Sequence, residues 1–478
     1  MVRRFLSLLP LLAIAACSSK DEPANTNPDV DSGEPETGIV AVPEWDKPVT
    51  APADDEATKK RTECGYGKGT MPAETQGKSF PMGKDIPIET IVITMMENRS
   101  FDHYFQKLKD NGWTDVDVAP ADFSNPDKDG KPVKIFRDTR LCFVDTNHEW
   151  EGSHEQVNGD KMDGFVKTNE GWSENPPGGS PELLSGSRAM GYYEKADLPF
   201  MYWAAENFAI ADKYFCSLQG PTWPNRMYLY AATSFGRTSN RVPDKADVVL
   251  FDNLEKRGVT WSIYATTSPG LAVIADRAVK YRDHILPGSQ FAEDARSGKL
   301  PQVVFLDPSI GKEGYAQNDE HPPAIMQFGQ KWLSEQVKAF MEGPQWAHGA
   351  FFLTYDEHGG LYDHVVPPKA CEPDDKLPDA PPATAGEKFD HYGIRVPFAV
   401  ISPFAKKKFV SHHVYDHTSI VRFVEARWTL PAMTKRDANA DALWDMFDFT
   451  GAPKSPPAPP AVPIDEKTVA ECKAIWGK

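Results

Sequence analysis

The chain has 478 residues, enough for one large catalytic domain or two smaller ones with a full core. Asp and Glu total 69 against 52 Lys and Arg, a formal net charge of -17. Nothing in that balance neutralises the phosphates of a long polyanion, so a nucleic-acid partner is excluded, whereas a small phosphorylated substrate is compatible with it if a bound metal supplies local positive charge.

The N-terminus reads as a targeting signal. Arg3 and Arg4 precede an apolar run over 5–16 that is too short to span a bilayer as a stable helix. Ile14-Ala15-Ala16-Cys17 resembles a bacterial lipobox, which implies a signal peptide over 1–17, cleavage before Cys17 and a lipid on its thiol. An ordinary secretory signal with a chance cysteine is the alternative. Ser18, rather than Asp, follows the cysteine, which by Gram-negative sorting patterns directs the protein to the outer membrane of the cell envelope. Residues 18–79 are rich in Pro, Asp, Glu, Thr and Ala and read as a disordered tether and approach segment.

Residues 80–451 read as the catalytic domain. Strands are predicted over 90–96, 208–211, 260–264, 303–306, 350–355 and 396–401, and helices over 198–206, 224–232, 324–341 and 418–427. This alternation argues an α/β fold, a parallel sheet with helices on both faces. Residues 110–191 have few apolar runs and many Gly, Asn and Asp, and read as a loop-rich cap insertion over the strand ends. Residues 452–478 form a Pro-rich tail with a short helix that holds Cys472. Besides Cys17 there are five cysteines, widely spaced and without CxxC, so one or two disulfides are expected with an odd thiol left over. Their pairing is not readable from spacing.

The residue types that carry chemistry collect at strand ends, where open parallel sheets place their sites. The apolar run from Ile91 gives way to Glu97-Asn98, and the run from Ala350 gives way to Asp356-Glu357-His358-Gly359-Gly360. These carboxylates and the amide offer oxygen donors for a divalent metal. A solvated cap would explain either pair alone; two strands of one design argue for a site. The Gly pair permits close backbone approach, and Asp363-His364 follows it. His148 and His154 fall in the cap. Thr222, just before Pro224, reads either as a helix N-cap or as a hydroxyl nucleophile at a helix N-terminus. Pro322 and Pro323 bar His321 from a helix and present it from a rigid loop.

Six ordered motifs then identify a resemblance. ENRSFDHYF, GPTWPNR, the run from His148-Glu149-Trp150 to NGDKMDGF, EHPP, YDEHGGLYDHVVPP and GIRVPFAVISPF with YDHTSIVRFVE resemble the bacterial phosphoesterase family of phospholipases C and acid phosphatases, within the alkaline-phosphatase superfamily. The resemblance implies a three-layer α/β/α sandwich around a mostly parallel sheet with one metal-centred site. It implies that Glu97, Asn98, Asp356 and Glu357 hold the metal and that Thr222 is the nucleophile. His148, His321 and His364 are implied around the phosphate, with His321 or His364 protonating the leaving alcohol. Oxygen donors favour Ca, Mg or Mn, and the nearby histidines keep Zn and Fe open.

The expected activity is a phospholipase C-type phosphodiesterase acting on a phospholipid or small phosphate ester, with the membrane reached through the lipid anchor. An acid phosphatase is the alternative, since the chain stops soon after the catalytic region as those enzymes do. A non-catalytic, metal-stabilised surface lipoprotein is the third reading.

Overall fold

In the computed structural model, which describes residues 39–174, 181–310 and 314–477, eight strands share one sheet. They are β1 (Thr90–Met96), β2 (Ala209–Ala211), β3 (Trp261–Ala265), β4 (Ile285–Pro287), β5 (Val303–Asp307), β6 (Gly349–Tyr355), β7 (Phe398–Ile401) and β8 (Phe409–Ser411). Their order across the sheet is β8-β2-β7-β6-β1-β5-β3-β4. Only β7 runs antiparallel to its neighbours. β1 and β6 sit at the centre, and every residue of both is buried. A strand covered on both faces has no need of polar alternation, which is why both read as largely apolar runs, with Thr94 and Thr354 buried among apolar neighbours.

The helices used below are α1 (Asp54–Thr62), α2 (Phe101–Phe105), α3 (Trp150–Val157), α4 (Pro199–Asn207), α5 (Thr222–Ala231), α6 (Leu250–Arg257), α7 (Met326–Glu342), α8 (His417–Trp428) and α9 (Glu466–Trp476). α5 packs on α8 and α6, α7 packs on α4, and helices cover both sides of the sheet. The expected α/β sandwich is therefore the observed architecture. The edge strands β4 and β8 are absent from the sequence reading because each is three residues long with a partly exposed pattern. α5 begins two residues earlier than predicted, because Pro224 falls in the first turn, where its missing N–H has no helical partner anyway.

The cap insertion carries α3 and a small apolar cluster of its own, in which Met162, Phe165 and Val166 pack with Tyr362 and Ile394. Cys17 and the signal segment lie outside the described residues. The tether expectation fails from residue 39 onward. α1 is folded, Gln76 is buried with its amide on the Ala440 carbonyl at 3.0 Å, and Asp46 pairs with Arg257 at 2.7 Å. Cys64 is joined to Cys371 across 307 residues. Polar composition alone favours disorder; here a crosslink and buried polar contacts to distant segments offset the ordering entropy. A second disulfide, Cys142–Cys472, ties α9 to the segment leading into His148, and Cys216 is the odd buried thiol.

Candidate active site

The parallel register of β1 and β6 sets Met96 beside Tyr355. Glu97-Asn98 and Asp356-Glu357 therefore leave the sheet side by side. The Asp356 N–H donates to the Met96 carbonyl at 3.0 Å, and the Asn98 N–H donates to Asp356 Oδ1 at 2.9 Å. Asn98 is left-handed (φ 59°), a conformation Asn tolerates better than most residues. A Cβ on Gly359 would lie 2.4 Å from the Asn98 carbonyl oxygen, and one on Gly360 would lie 2.4 Å from that of Asn147. The close approach expected of the Gly pair is thus what packs the β6 loop against the Asn98 segment and the segment that carries His148.

Thr222 is the first residue of α5, not its N-cap. The cap position is Pro221, and no side chain caps the helix. The Thr222 hydroxyl instead donates to Glu97 Oε2 at 3.3 Å. One turn on, Arg226 donates from Nη2 to Glu97 Oε1 at 2.7 Å, and its Nε lies 3.8 Å from Asp356 Oδ2.

Three buried acceptors here have no hydrogen-bond partner: Asn98 Oδ1, Asp356 Oδ2 and Glu357 Oε1. Glu97, Asp319, Asp356 and Glu357 are all at most 2% exposed, against the one guanidinium of Arg226. Burial, and then the charge of Glu97, pushes Asp356 up to about 7. The same two causes hold Asp319 well above the usual carboxylate range. Crowded buried carboxylates with orphaned oxygens are expensive alone and fit a hard divalent cation.

A tighter set by spacing is Asp102, Asp363 and His364, whose ligand atoms lie within 4.8 Å of one another. There, however, Arg395 already donates to Asp102 Oδ1 at 3.0 Å and to Asp363 Oδ1 at 2.9 Å. Spacing favours this triad; partner accounting favours the strand ends. In the triad, Arg395 and His364 between them engage both carboxylates, whereas at the strand ends Asn98 Oδ1, Asp356 Oδ2 and Glu357 Oε1 are left without a partner.

His364 therefore departs from expectation. It belongs to this second cluster, with Nδ1 on Asp102 at 2.6 Å and Nε2 facing Asp117 at 3.1 Å. Both ring nitrogens of His364 are thereby engaged by carboxylates of this second cluster. Burial opposes its protonation, but Asp102 and Asp117 outweigh burial and raise it from 6.5 to about 10. The folded chain thus holds this proton more tightly than the unfolded chain. The resulting stabilisation is full below about pH 6.5 and is lost as pH rises toward 10. His364→Gln is expected to melt at lower temperature at pH 6 and to show a flatter fall in Tm between pH 7 and pH 10. Parallel Tm profiles for the two proteins would remove this role.

His148 and His321 do meet, with ring centroids 5.6 Å apart. The Nδ1 of His148 lies 2.6 Å from the Thr146 carbonyl, and that of His321 lies 2.6 Å from the Pro322 carbonyl. Each Nδ1–H is thereby committed to backbone, which leaves Nε2 as the reactive nitrogen. His148 Nε2 is 3.3 Å from the Asn98 amide. The two rings are pushed apart electrostatically. For His148, burial is outweighed by the carboxylates of Glu357, Glu149 and Asp145, which raise it to about 9. For His321, burial and then the charge of His148 lower it to about 4. His154 is turned away, with Nδ1 on the Trp150 carbonyl at 2.7 Å.

Sequence reasoning passed over Asp319, Arg226 and His417. Asp319 stands two residues before His321, and Arg226 one helical turn after Thr222, a spacing that puts both on one helix face. His417 opens α8 and donates from Nε2 to the Asp356 carbonyl at 2.8 Å, while the Tyr214 hydroxyl lies 3.2 Å from its Nδ1. Its signal was the YDHTS motif, whose aim at Asp356 is invisible before folding.

A family model described as Phosphoesterase family matches residues 88–431. The chain is similar to non-specific phospholipase C1 of Arabidopsis thaliana, 31% identical over 401 residues, covering 77% of this chain and 72% of that protein. It is similar to phospholipase C B of Mycobacterium tuberculosis, 30% identical over 465 residues, covering 83% and 82%. Among solved structures it is similar to a lipoteichoic acid synthase from Listeria monocytogenes, at 9% identity and a TM-score of 0.38, with 81% of each chain covered.

Proposed function

The chain belongs to the phosphoesterase family and is a phosphoric ester hydrolase, and on that premise we propose that it cleaves phospholipid phosphodiesters in the manner of a phospholipase C, through the hydroxyl of Thr222. The observation that carries the proposal is the Thr222 hydroxyl itself: free of capping duty, at a helix N-terminus, and bonded to Glu97 Oε2 at 3.3 Å. The substrate class is inferred from two relatives named as phospholipases C.

Glu97, Asn98, Asp356 and Glu357 would hold a divalent cation, which when bound polarises the phosphate and acidifies a nearby hydroxyl. The chain's own residues do the rest. Thr222 Oγ1 attacks phosphorus while its proton passes to Glu97 Oε2, its hydrogen-bond acceptor. The bond from phosphorus to the alcohol breaks, and protonated His148 gives its Nε2 proton to the leaving oxygen. This replaces the expected donors: His364 is engaged elsewhere, and His321 at about 4 carries no spare proton near neutral pH. The neutral His148 then takes a proton from the water that attacks the phosphothreonine, and Thr222 recovers its own from Glu97. His321 offers a lone pair at Nε2 to orient that water. Paired groups pushed to opposite sides of neutrality are the mark of an acid and its neutral companion.

The test is a side-by-side assay of phosphatidylcholine vesicles and p-nitrophenyl phosphate across pH. The vesicles are expected to be the better substrate. kcat/KM should fall on the acid side as His321 gains a proton and on the alkaline side as His148 loses its own. His148→Gln should lose most of the rate together with the alkaline limb. A rate still climbing above pH 10 would sink the role given to His148, and a strong preference for the monoester would make the enzyme a phosphatase.

The envelope location is a further part of the proposal and rests on the Ile14–Cys17 pattern alone. No helix among the described residues is long and apolar enough to cross a membrane. Two or more acyl chains on Cys17 would suffice for stable anchoring. Wild type is expected to partition into detergent with the membrane fraction. Cys17→Ser should lose that partitioning at unchanged specific activity, because every proposed site residue lies at or beyond Glu97. A soluble wild type with an unmodified N-terminus would leave only a secretory signal.

A further inference from the structure

We propose that Arg226 is a positioning residue that fixes the orientation of the Glu97 carboxylate against the Thr222 hydroxyl; the inference rests on the nucleophile reading above. Thr222 and Arg226 stand one turn apart on α5 and grip Glu97 from two sides. Arg226 Nη2 holds Oε1 at 2.7 Å, and Thr222 Oγ1 reaches Oε2 at 3.3 Å. The same Nη2 donates to the Met95 carbonyl at 3.1 Å and approaches that of Met96 at 3.4 Å. The guanidinium is thus tied to the end of the strand that presents Glu97. Its Nε lies 3.8 Å from Asp356 Oδ2, so one side chain spans both carboxylate-bearing strands.

A purely structural arginine in this protein looks different. Arg436 donates from Nε, Nη1 and Nη2 to three carbonyls, of Cys371, Ser217 and Phe389, and so pins three loops. Arg226 is as deeply buried, at 1% exposure, yet its Nε and Nη1 have no hydrogen-bond partner. What it does bond is a carboxylate of the site and the backbone directly before it. With one oxygen held by Arg226, the plane of the Glu97 carboxylate is fixed and its other oxygen is aimed at the Thr222 hydroxyl. With that hold released, the carboxylate can rotate about its side chain, and the contact that receives the threonine proton is no longer held in place. A lysine would keep the charge but not the planar fork that reaches carboxylate and carbonyls together.

The experiment compares wild type with Arg226→Lys and Arg226→Met, using p-nitrophenyl phosphorylcholine as substrate and Mn2+ as the metal probe, with Thr222→Ala in parallel. In Arg226→Lys, kcat is expected to fall by about 100-fold while KM changes by less than about threefold, the size of loss that misplacing a reacting group produces. Mn2+ should still bind at the wild-type stoichiometry, with an altered electron paramagnetic resonance spectrum. A structural role alone would lower the melting temperature and leave the spectrum and kcat of the folded protein unchanged. A folded Arg226→Lys or Arg226→Met with kcat within about threefold of wild type overturns the inference. If Thr222→Ala is inactive in that same experiment, only the role of Arg226 falls. If Thr222→Ala stays active, the nucleophile reading falls first and this inference with it.

Discussion

Thr222→Ala is expected to abolish turnover without unfolding the protein. Loss of a capping hydroxyl costs about 1 kcal/mol in a typical helix, and Thr222 makes no capping bond at all. The fold therefore has little to lose. On the proposed mechanism the variant lacks the nucleophile, and removing a nucleophile from a site whose parts act together lowers kcat on the order of 10^4-fold or more. Thr222→Ser keeps the hydroxyl at the same helix position and should retain a measurable rate. The measurement is a steady-state assay on purified variants of matched melting temperature, with acid-quenched samples searched for phosphate on residue 222. An alanine variant with a tenth of wild-type activity would move the nucleophile elsewhere.

Asp356→Asn should remove bound metal and activity together, with an effect on stability that separates a ligand from a structural carboxylate. In the metal-free protein Asp356 is buried against Glu97, and Oδ2 has no partner. Replacing it with a neutral isostere relieves repulsion, so metal-free Asp356→Asn should melt no lower than metal-free wild type. Only the wild type should gain stability when Ca2+, Mn2+ or Zn2+ is added, because a ligand stabilises the state that binds it. Elemental analysis should show metal in wild type and little in the variant, and Glu97→Gln should behave alike. Full occupancy and full activity in both variants would remove the strand-end site and return attention to Asp102, Asp363 and His364.

Particular residues show what was legible before folding. β1 and β6 are long, largely apolar runs, and their bounds are nearly those predicted. Glu97-Asn98 and Asp356-Glu357 stood out because ligand types follow abruptly on apolar sequence. Thr222 was legible as a residue with a job, but its position was misjudged by one. The pattern Thr-Trp-Pro reads as a cap before a helix, and only the backbone shows the helix already begun. His364 was placed around the phosphate by the motif resemblance, whereas the fold engages its two ring nitrogens with Asp102 and Asp117. Arg226 stood unremarked within GPTWPNR, since an arginine on a helix looks like any solvated charge until it is found at 1% exposure. The segment from residue 39 to 79 read as tether because its composition is polar. A crosslink from Cys64 to Cys371 cannot be inferred from that composition.

By itself the sequence determined the alternation of apolar runs that makes an α/β sheet, the inventory of oxygen donors and histidines, and the ordered motifs of the phosphoesterase family. Those are properties of residue type and spacing along the chain. The tertiary structure alone decided which of these groups meet. The register of β1 on β6 joins two pairs separated by more than 250 positions in the chain, as the bond from the Asn98 N–H to Asp356 shows. The path of the cap brings His148 to His321, and the first turn of α5 aims Thr222 and Arg226 at one carboxylate. The roles follow from those meetings because charge, protonation and hydrogen bonding act over a few ångströms of space, whatever the distance along the chain.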